Sequence, residues 1–208
     1  MPRSLPIANE FQTGIYEVDS QTLIAPLGLI QSMLRMDEAR RRVEELSGGR
    51  LTIKLYAAGE LVPPFESFDA VQSGTADVLH GTPYYWVGKS KAFNYFTTIP
   101  FGLSAVELPA WLTYGGGQAL WEEAYAGFGL VPFYAGSSCT QAGGWFRREI
   151  NGWEDLQGLK IRMAGLGGEV LRRAGSVIVL TPPGEILPAM QSGAIDAAEW
   201  IGPWNDVA

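Results

Sequence analysis

Two similar segments constrain the fold of this chain more than any other feature of its sequence. Residues 70–77 read AVQSGTAD, and residues 189–196 read AMQSGAID. Each copy lies downstream of a Gly-Glu pair. Each fits a helix that packs its apolar face on a sheet and ends at a glycine able to take a positive φ. The shared context favours duplication of one structural unit over chance similarity. Two such α/β units predict two lobes with a cleft between them, a common place for a small-molecule site.

Helix and strand signals alternate along the chain. Residues 36–46 (MDEARRRVEEL) have apolar positions at helical spacing, whereas residues 51–56 (LTIKLY) alternate as a strand does. The same signals predict helices at 65–72, 118–125, 169–174 and 185–191, and strands at 76–79, 130–135, 177–180, 194–200, within 156–163 and beginning in 143–146. This β-α-β order favours an α/β fold with a parallel or mixed sheet.

Composition excludes several classes of protein. The chain has 208 residues, 47% of them apolar, so it can bury a core. Its net charge is −7, and no cluster of basic residues offers a stripe for nucleic-acid phosphates. The single cysteine, Cys139, rules out an intramolecular disulfide framework, and the single histidine, His80, argues against a histidine-based zinc site. No apolar run reaches the roughly 18 residues of a membrane span, and no secretory signal peptide is visible.

Few residues could carry catalysis. Cys139 could pair only with His80, and a buried, unpaired cysteine is the simpler interpretation. Residues 165–168 (GLGG) precede a helix and could point N–H groups toward an anion. They lack the GxGxxG spacing of a dinucleotide site and the Lys-Ser/Thr of a P-loop, so an ordinary turn and helix start explains them. The sequence therefore shows no nucleophile with a neighbouring base.

Arg162 and the pair Glu199-Trp200 are more informative. Arg162 lies within an apolar strand (LKIRMAG), where its guanidinium needs a partner. That partner is either the carboxylate of a ligand or an internal Asp or Glu. Glu199 and Trp200 end the second repeat unit, where a carboxylate beside an indole can hold a cation and offer an apolar wall. The alternative is a carboxylate at the rim and a tryptophan in the core.

Seven segments resemble the DctP-type solute-binding subunits of TRAP transporters. They occur in the order expected for that family and extend from about residue 40 to residue 208. The subgroup they resemble most is the one that binds 2-oxo acids or lactate together with a metal ion. The segments are EELSGGRLTIKLYAAGELVPPFESFDAVQSGTADV, YYWVGK, IPFGL, GGGQALWEE, QAGGWFRREI, LQGLKIRMAGLGGEVLRRAG and GEILPAMQSGAIDAAEWIGPWND.

The resemblance implies a periplasmic receptor with a two-lobed α/β fold of the flytrap type, which binds a small 2-oxo or 2-hydroxy acid in the cleft between the lobes. The family arginine that binds the ligand carboxylate matches Arg162. The cation and ligand contacts of the keto-acid subgroup match Gln141, Glu199 and Trp200. These residues imply Na⁺ or Ca²⁺ bridging the ligand and no other cofactor. The partners implied are the TRAP membrane permease subunits and, for the full-length form, a second copy in a homodimer.

The resemblance also fixes expectations about the two lobes. The first lobe corresponds to residues 1–134 and the second to residues 135–208 with the start of the return crossover, and Tyr84 and Tyr85 line the first lobe's side of the site. The family's first strand is not recognisable in residues 1–35, which are atypical, and the C-terminal part is expected to be truncated. Two other functions stay open: an α/β enzyme acting on a small organic acid, and a truncated remnant that binds nothing.

Overall fold

The computed structural model describes residues 17–19, 22–23, 40–138 and 141–206. The helices are α1 (residues 40–46), α2 (Ser67–Gln72), α3 (Glu107–Tyr114), α4 (Gly117–Ala126), α5 (Gly165–Arg173), α6 (Ile186–Ser192) and α7 (Pro203–Asp206). The strands are β1 (Glu17–Asp19), β2 (Thr22–Leu23), β3 (Trp145–Phe146), β4 (Lys160–Arg162), β5 (Val177–Val179) and β6 (Ala197–Ala198). In the described part of the chain, no helix is both long enough and apolar enough to cross a membrane.

The main sheet has four strands in the order β3-β6-β4-β5. Strand β4 pairs in parallel with β5 on one side and with β6 on the other, and β3 runs antiparallel to β6. Helix α5 connects β4 to β5, and α6 connects β5 to β6. The sequence prediction of an α/β fold with a mixed sheet is therefore confirmed in this part of the chain. The parallel arrangement brings the carboxyl ends of β4, β5 and β6 to one edge.

A hydrophobic core fills the space beneath this sheet, and we call it the sheet core. It contains Leu156, Leu159, Ile161 and Ala197, against which Leu171 of α5 packs. Ile161 is fully buried, and so is its neighbour Arg162. The chain therefore places a guanidinium at the last position of a strand whose preceding residue anchors the core.

A second core, which we call the aromatic core, is built almost entirely from rings. Its buried residues are Phe68, Trp86, Phe93, Phe96, Leu112, Trp121 and Tyr125. Phe96 stacks on Trp121 with a centroid separation of 5.5 Å, and the indole of Trp86 donates a hydrogen bond to the carbonyl of Phe65. Aromatic rings bury large areas and prefer such stacked or edge contacts, so helices and 3-10 turns can form this core without strands.

The two copies of the repeat inferred from the sequence form the same helix and the same turn after it. Helices α2 and α6 each follow a 3-10 turn, Pro64–Glu66 and Pro183–Glu185 respectively. Gly74 and Gly193 then adopt φ of +79° and +75°. A backbone hydrogen bond also recurs: the amide of Ala76 donates to Ala70, and that of Ile195 donates to Ala189. Both copies therefore leave their helix through the same turn.

Three predicted strands are wrong. Residues 51–56, 76–79 and 130–135 form no strand, and several of their apolar side chains are exposed: Leu51, Val78, Val131 and Phe133. Alternating apolar residues supply a face for packing, but a strand also requires a neighbour that takes up its ladder hydrogen bonds. No described segment pairs with these three stretches. The prediction of a strand after the helix therefore holds for the second repeat copy only.

The remaining helix predictions fare better. Residues 40–46 are helical as predicted, and residues 36–39 lie outside the described part. Helix α4 begins at Gly117, after Gly116 at φ +81°. The sequence analysis missed α3, which contains Pro109. A proline in the first turn loses no helical hydrogen bond, so its presence there is compatible with the helix.

Candidate functional site

Arg162 occupies the carboxyl end of β4 and is fully buried. Its Nε donates to the carbonyl of Thr181 (3.2 Å), and Nη1 donates to the carbonyl of Glu199 (2.8 Å). Its Nη2 donates to the hydroxyl of Tyr85 (3.2 Å). A guanidinium has five N–H groups, so these three bonds offset much of the burial cost and leave two groups for another acceptor.

Glu199 follows β6 directly. Its backbone amide donates to the carbonyl of Arg162 (2.9 Å), which extends the β4–β6 pairing to the sheet edge. The carboxylate Oε2 lies 3.6 Å from Nη1 of Arg162, and Oε1 is buried with no hydrogen-bond partner among the described residues. Burial raises the pKa of this carboxyl to about 7, while Arg162 acts to lower it and Asp206 to raise it. A buried carboxylate oxygen without a donor is suited to a cation.

Trp200 and Gln141 lie next to this pair. The guanidinium carbon of Arg162 sits 5.2 Å from the centroid of the Trp200 ring. The side-chain amide of Gln141 donates to the backbone carbonyl of Trp200 (2.9 Å), and the amide of Ala142 donates to the carbonyl of Ile201 (2.7 Å). The chain at Gln141 is therefore held against the segment that carries Glu199.

Tyr84 and Tyr85 come from the 3-10 helix Pro83–Trp86, which belongs to the aromatic core through Trp86. Their rings meet edge to face at 4.8 Å. Burial raises the pKa of both hydroxyls, and the charge of Arg162 opposes this rise in each. The charge of Glu199 also raises the pKa of Tyr84, so this ring lies within reach of both charged groups.

The structure thus gathers all six residues that the sequence nominated. Tyr85, Glu199 and Trp200 contact Arg162 directly. Gln141 joins through the Trp200 carbonyl, and Tyr84 joins through the ring of Tyr85.

The sequence analysis missed two participants, Thr181 and Asp206. Thr181 could have been found, because it follows the carboxyl end of β5, where ligands of parallel sheets lie. Asp206 accepts from the amide of Ile201 (3.1 Å) and lies in α7, and no sequence signal pointed to it.

Three other features were considered for chemistry in the sequence, and the structure describes two of them. The GLGG segment forms the first turn of α5, as an ordinary helix start does. Burial lowers the pKa of His80, whose Nδ1 has no partner among the described residues. Cys139 lies outside the described residues.

A cation site here would consist of hard oxygen atoms. Within residues 40–138 and 141–206 no three His, Cys, Asp or Glu side chains lie together, so an all-acidic cage or a zinc-type cluster does not fit. The unpartnered oxygen of Glu199, the Trp200 carbonyl and the amide of Gln141 suit Na⁺ or Ca²⁺. The Gln141 amide would then present its oxygen instead of its nitrogen.

Comparisons with known proteins identify relatives of this chain. A monocarboxylate 2-oxoacid-binding periplasmic protein of Nostoc sp. is 49% identical over 80% of this chain and 46% of its own length. A TRAP periplasmic solute-binding protein of Pseudoalteromonas atlantica, solved with bound sodium and pyruvate, superposes with a TM-score of 0.80 at 42% identity, covering 83% of this chain and 52% of that one. A TRAP solute-binding protein of Bordetella bronchiseptica, a dimer with calcium and picolinate, gives 0.79 at 42% identity, with coverage of 83% and 51%.

The two solved relatives share the fold of this chain, and the chain spans about half the length of all three relatives. The family model for bacterial extracellular solute-binding proteins, family 7, matches residues 33–205. That match covers most of the chain, including Arg162 and the five other site residues that the sequence nominated. The chain therefore belongs to the DctP family of bacterial extracellular solute-binding proteins.

Proposed function

We propose that this chain is the ligand-binding part of a periplasmic receptor that captures a small 2-oxo acid together with Na⁺ or Ca²⁺ and delivers it to a TRAP-type membrane permease. The observation that carries the proposal is the fully buried guanidinium of Arg162 beside the carboxylate of Glu199, whose Oε1 has no hydrogen-bond partner among the described residues. One group offers N–H donors to a ligand carboxylate, and the other offers an oxygen to a cation.

Each side chain then has a role that its position supports. Arg162 binds the ligand carboxylate, and Glu199 and Gln141 bind the cation. Trp200 contributes to the cation site and packs its ring against the ligand. Tyr84 and Tyr85 close the opposite side. The pyruvate-bound and 2-oxoacid-binding relatives support a monocarboxylic 2-oxo acid as the ligand.

The proposed division into lobes has support from the two cores. Every residue of the aromatic core precedes residue 135, and every residue of the sheet core follows it. The hydrogen bond between Tyr85 and Arg162, with the ring contact of Tyr84 on Tyr85, therefore connects the part of the chain that forms the aromatic core to the part that forms the sheet core. The dimer of the Bordetella relative supports a homodimer of the full-length protein.

The function is tested by calorimetry of the purified chain with pyruvate, in buffer containing calcium and in chelator-treated, sodium-free buffer. We expect saturable binding with the cation and a large loss of affinity without it, restored when calcium is returned. The absence of pyruvate binding under both conditions, in protein whose circular dichroism shows a folded state, contradicts the proposal. Turnover of pyruvate to another product would indicate the enzyme alternative.

A further inference from the structure

Gly165 packs against Tyr84, at the place where the two cores meet. Gly165 begins α5, three residues after Arg162, and has a φ of +63°. A Cβ built on it would lie 3.3 Å from Cβ of Tyr84 and 3.4 Å from its Cγ. The 3.3 Å distance is tighter than about nine in ten real Cβ contacts, so Tyr84 would have to shift by a few tenths of an ångström. The start of α5 and the tyrosine pair therefore pack most closely without a side chain at position 165.

Two separate requirements favour glycine at this position. The positive φ disfavours most side chains whatever the surroundings, and the contact with Tyr84 disfavours any Cβ. Gly158 separates the two effects, because it has a φ of +70° and, apart from its chain neighbours, no described residue has a heavy atom within 4 Å of a built Cβ. It lies in the same part of the chain, just before β4. Gly158 is thus a matched position for the backbone effect alone.

A shift of Tyr84 would be passed on to the site. The Tyr84 ring meets that of Tyr85 at 4.8 Å, and the hydroxyl of Tyr85 accepts the 3.2 Å hydrogen bond from Nη2 of Arg162. The neighbouring Trp86 is buried in the aromatic core, so the 3-10 helix cannot move freely to compensate. Closely packed groups respond to extra volume by shifting several neighbours.

We propose that Gly165 is a positioning residue for the ligand site: its missing side chain lets Tyr84 seat against the start of α5, which sets the approach of Tyr85 to Arg162. This inference rests on the proposed function, because its consequence is the affinity for a carboxylate ligand. Gly165 has no side chain to offer to a ligand or a cation. Its effect reaches the ligand only through the tyrosine pair.

The test compares Gly165→Asn with Gly158→Asn in the 208-residue chain. Asparagine tolerates positive φ better than other side chains, so the two variants share a small backbone cost and differ in the contact with Tyr84. Calorimetry with pyruvate and calcium should show affinity lowered roughly ten- to hundredfold for Gly165→Asn and within about twofold of wild type for Gly158→Asn. Gly165→Asn also carries the cost of the contact with Tyr84, so its urea midpoint should lie somewhat below that of Gly158→Asn, while both proteins remain folded without urea.

A double mutant separates positioning from a general loss of structure. In a Tyr84→Gly background both the Cβ and the ring of Tyr84 are absent, and the added penalty of Gly165→Asn should shrink. If Gly165→Asn does not fold, Gly165→Ala and Gly158→Ala replace the pair in the same comparison.

Each outcome has a definite meaning. Equal affinities of the Gly165 and Gly158 variants, with wild type binding normally, overturn this inference and leave the proposed function intact. An undiminished penalty in the Tyr84→Gly background overturns it as well. Absence of pyruvate binding by the wild-type chain overturns the proposed function and this inference together.

Discussion

Glu199 should make the unfolding free energy of the cation-free protein fall as pH rises, and Glu199→Gln should abolish that fall. The pKa of this carboxyl is about 7 in the folded protein, against an ordinary 4.5. Between these values the folded state holds a proton that the unfolded state has released. The unfolding free energy therefore decreases by about 1.4 kcal/mol for each pH unit. Between the two pKa values, the unfolding free energy lost through Glu199 is about 3 kcal/mol.

The assay is urea denaturation between pH 4.5 and 8 in chelator-treated, sodium-free buffer. Wild type is compared with Glu199→Gln and with Glu185→Gln, in which an exposed carboxylate is lost instead. Glu169 does not distort the comparison, because all three proteins contain it; Arg172 and Arg173 lower its pKa to about 2 in the folded state, so only the unfolded state takes up a proton there near pH 4.5. We expect Glu185→Gln to follow wild type and Glu199→Gln to be nearly flat by comparison.

Calcium should reverse the effect in wild type, because it binds the ionised carboxylate of the folded state only. A cation at about 100 times its dissociation constant adds about 2.7 kcal/mol to the unfolding free energy, which nearly offsets the loss at pH 7. Glu199→Gln should gain much less. Parallel pH curves for wild type and Glu199→Gln would refute the reasoning, since Glu199 would then titrate as an ordinary exposed carboxyl.

Three further outcomes follow from the same structure. Arg162→Lys should weaken pyruvate binding by well over tenfold in calorimetry, because an ammonium cannot reproduce the bidentate fork; unchanged affinity in folded protein would contradict the assignment. Tyr85→Phe removes the acceptor of the Arg162 Nη2 bond and should lower the unfolding free energy by about 1 kcal/mol in urea titrations, whereas no change would mean that another acceptor replaces it. Amide hydrogen exchange should be faster in residues 51–56 and 76–79 than in β4 and β5; equally slow exchange would show that these segments are covered in solution.

The sheet of residues 145–198 could be predicted from the sequence because its signals and its partners lie within one contiguous stretch. Strands β4, β5 and β6 each find a neighbour among themselves, and the helices between them cover the core. Local pattern and tertiary pairing agree there, which is the condition under which pattern-based prediction succeeds. Arg162 was found for the same reason: a charge inside an apolar strand is conspicuous, and burial without a partner is costly.

The aromatic part could be predicted only partly. Residues 51–56 have the alternation of a strand. A strand also depends on a neighbouring strand with which it can pair, and the sequence of one segment does not show which neighbour it has. The core there instead forms from rings on helices and 3-10 turns such as Pro83–Trp86. Turns of three or four residues are too short to show a periodic pattern in the sequence. The resemblance to a family, not the periodicity, nominated Tyr84 and Tyr85.

Contacts across the two cores are the least accessible to sequence reasoning, and the site depends on them. Gly165 was interpreted from its GLGG context as an ordinary helix start, which is correct as far as the local chain is concerned. Its second constraint, the ring of Tyr84, comes from a residue 81 positions earlier in the chain. A glycine required by a turn and a glycine required by a neighbour look identical in sequence. Only the comparison of Gly165 with Gly158, alike in φ and unlike in surroundings, distinguishes them.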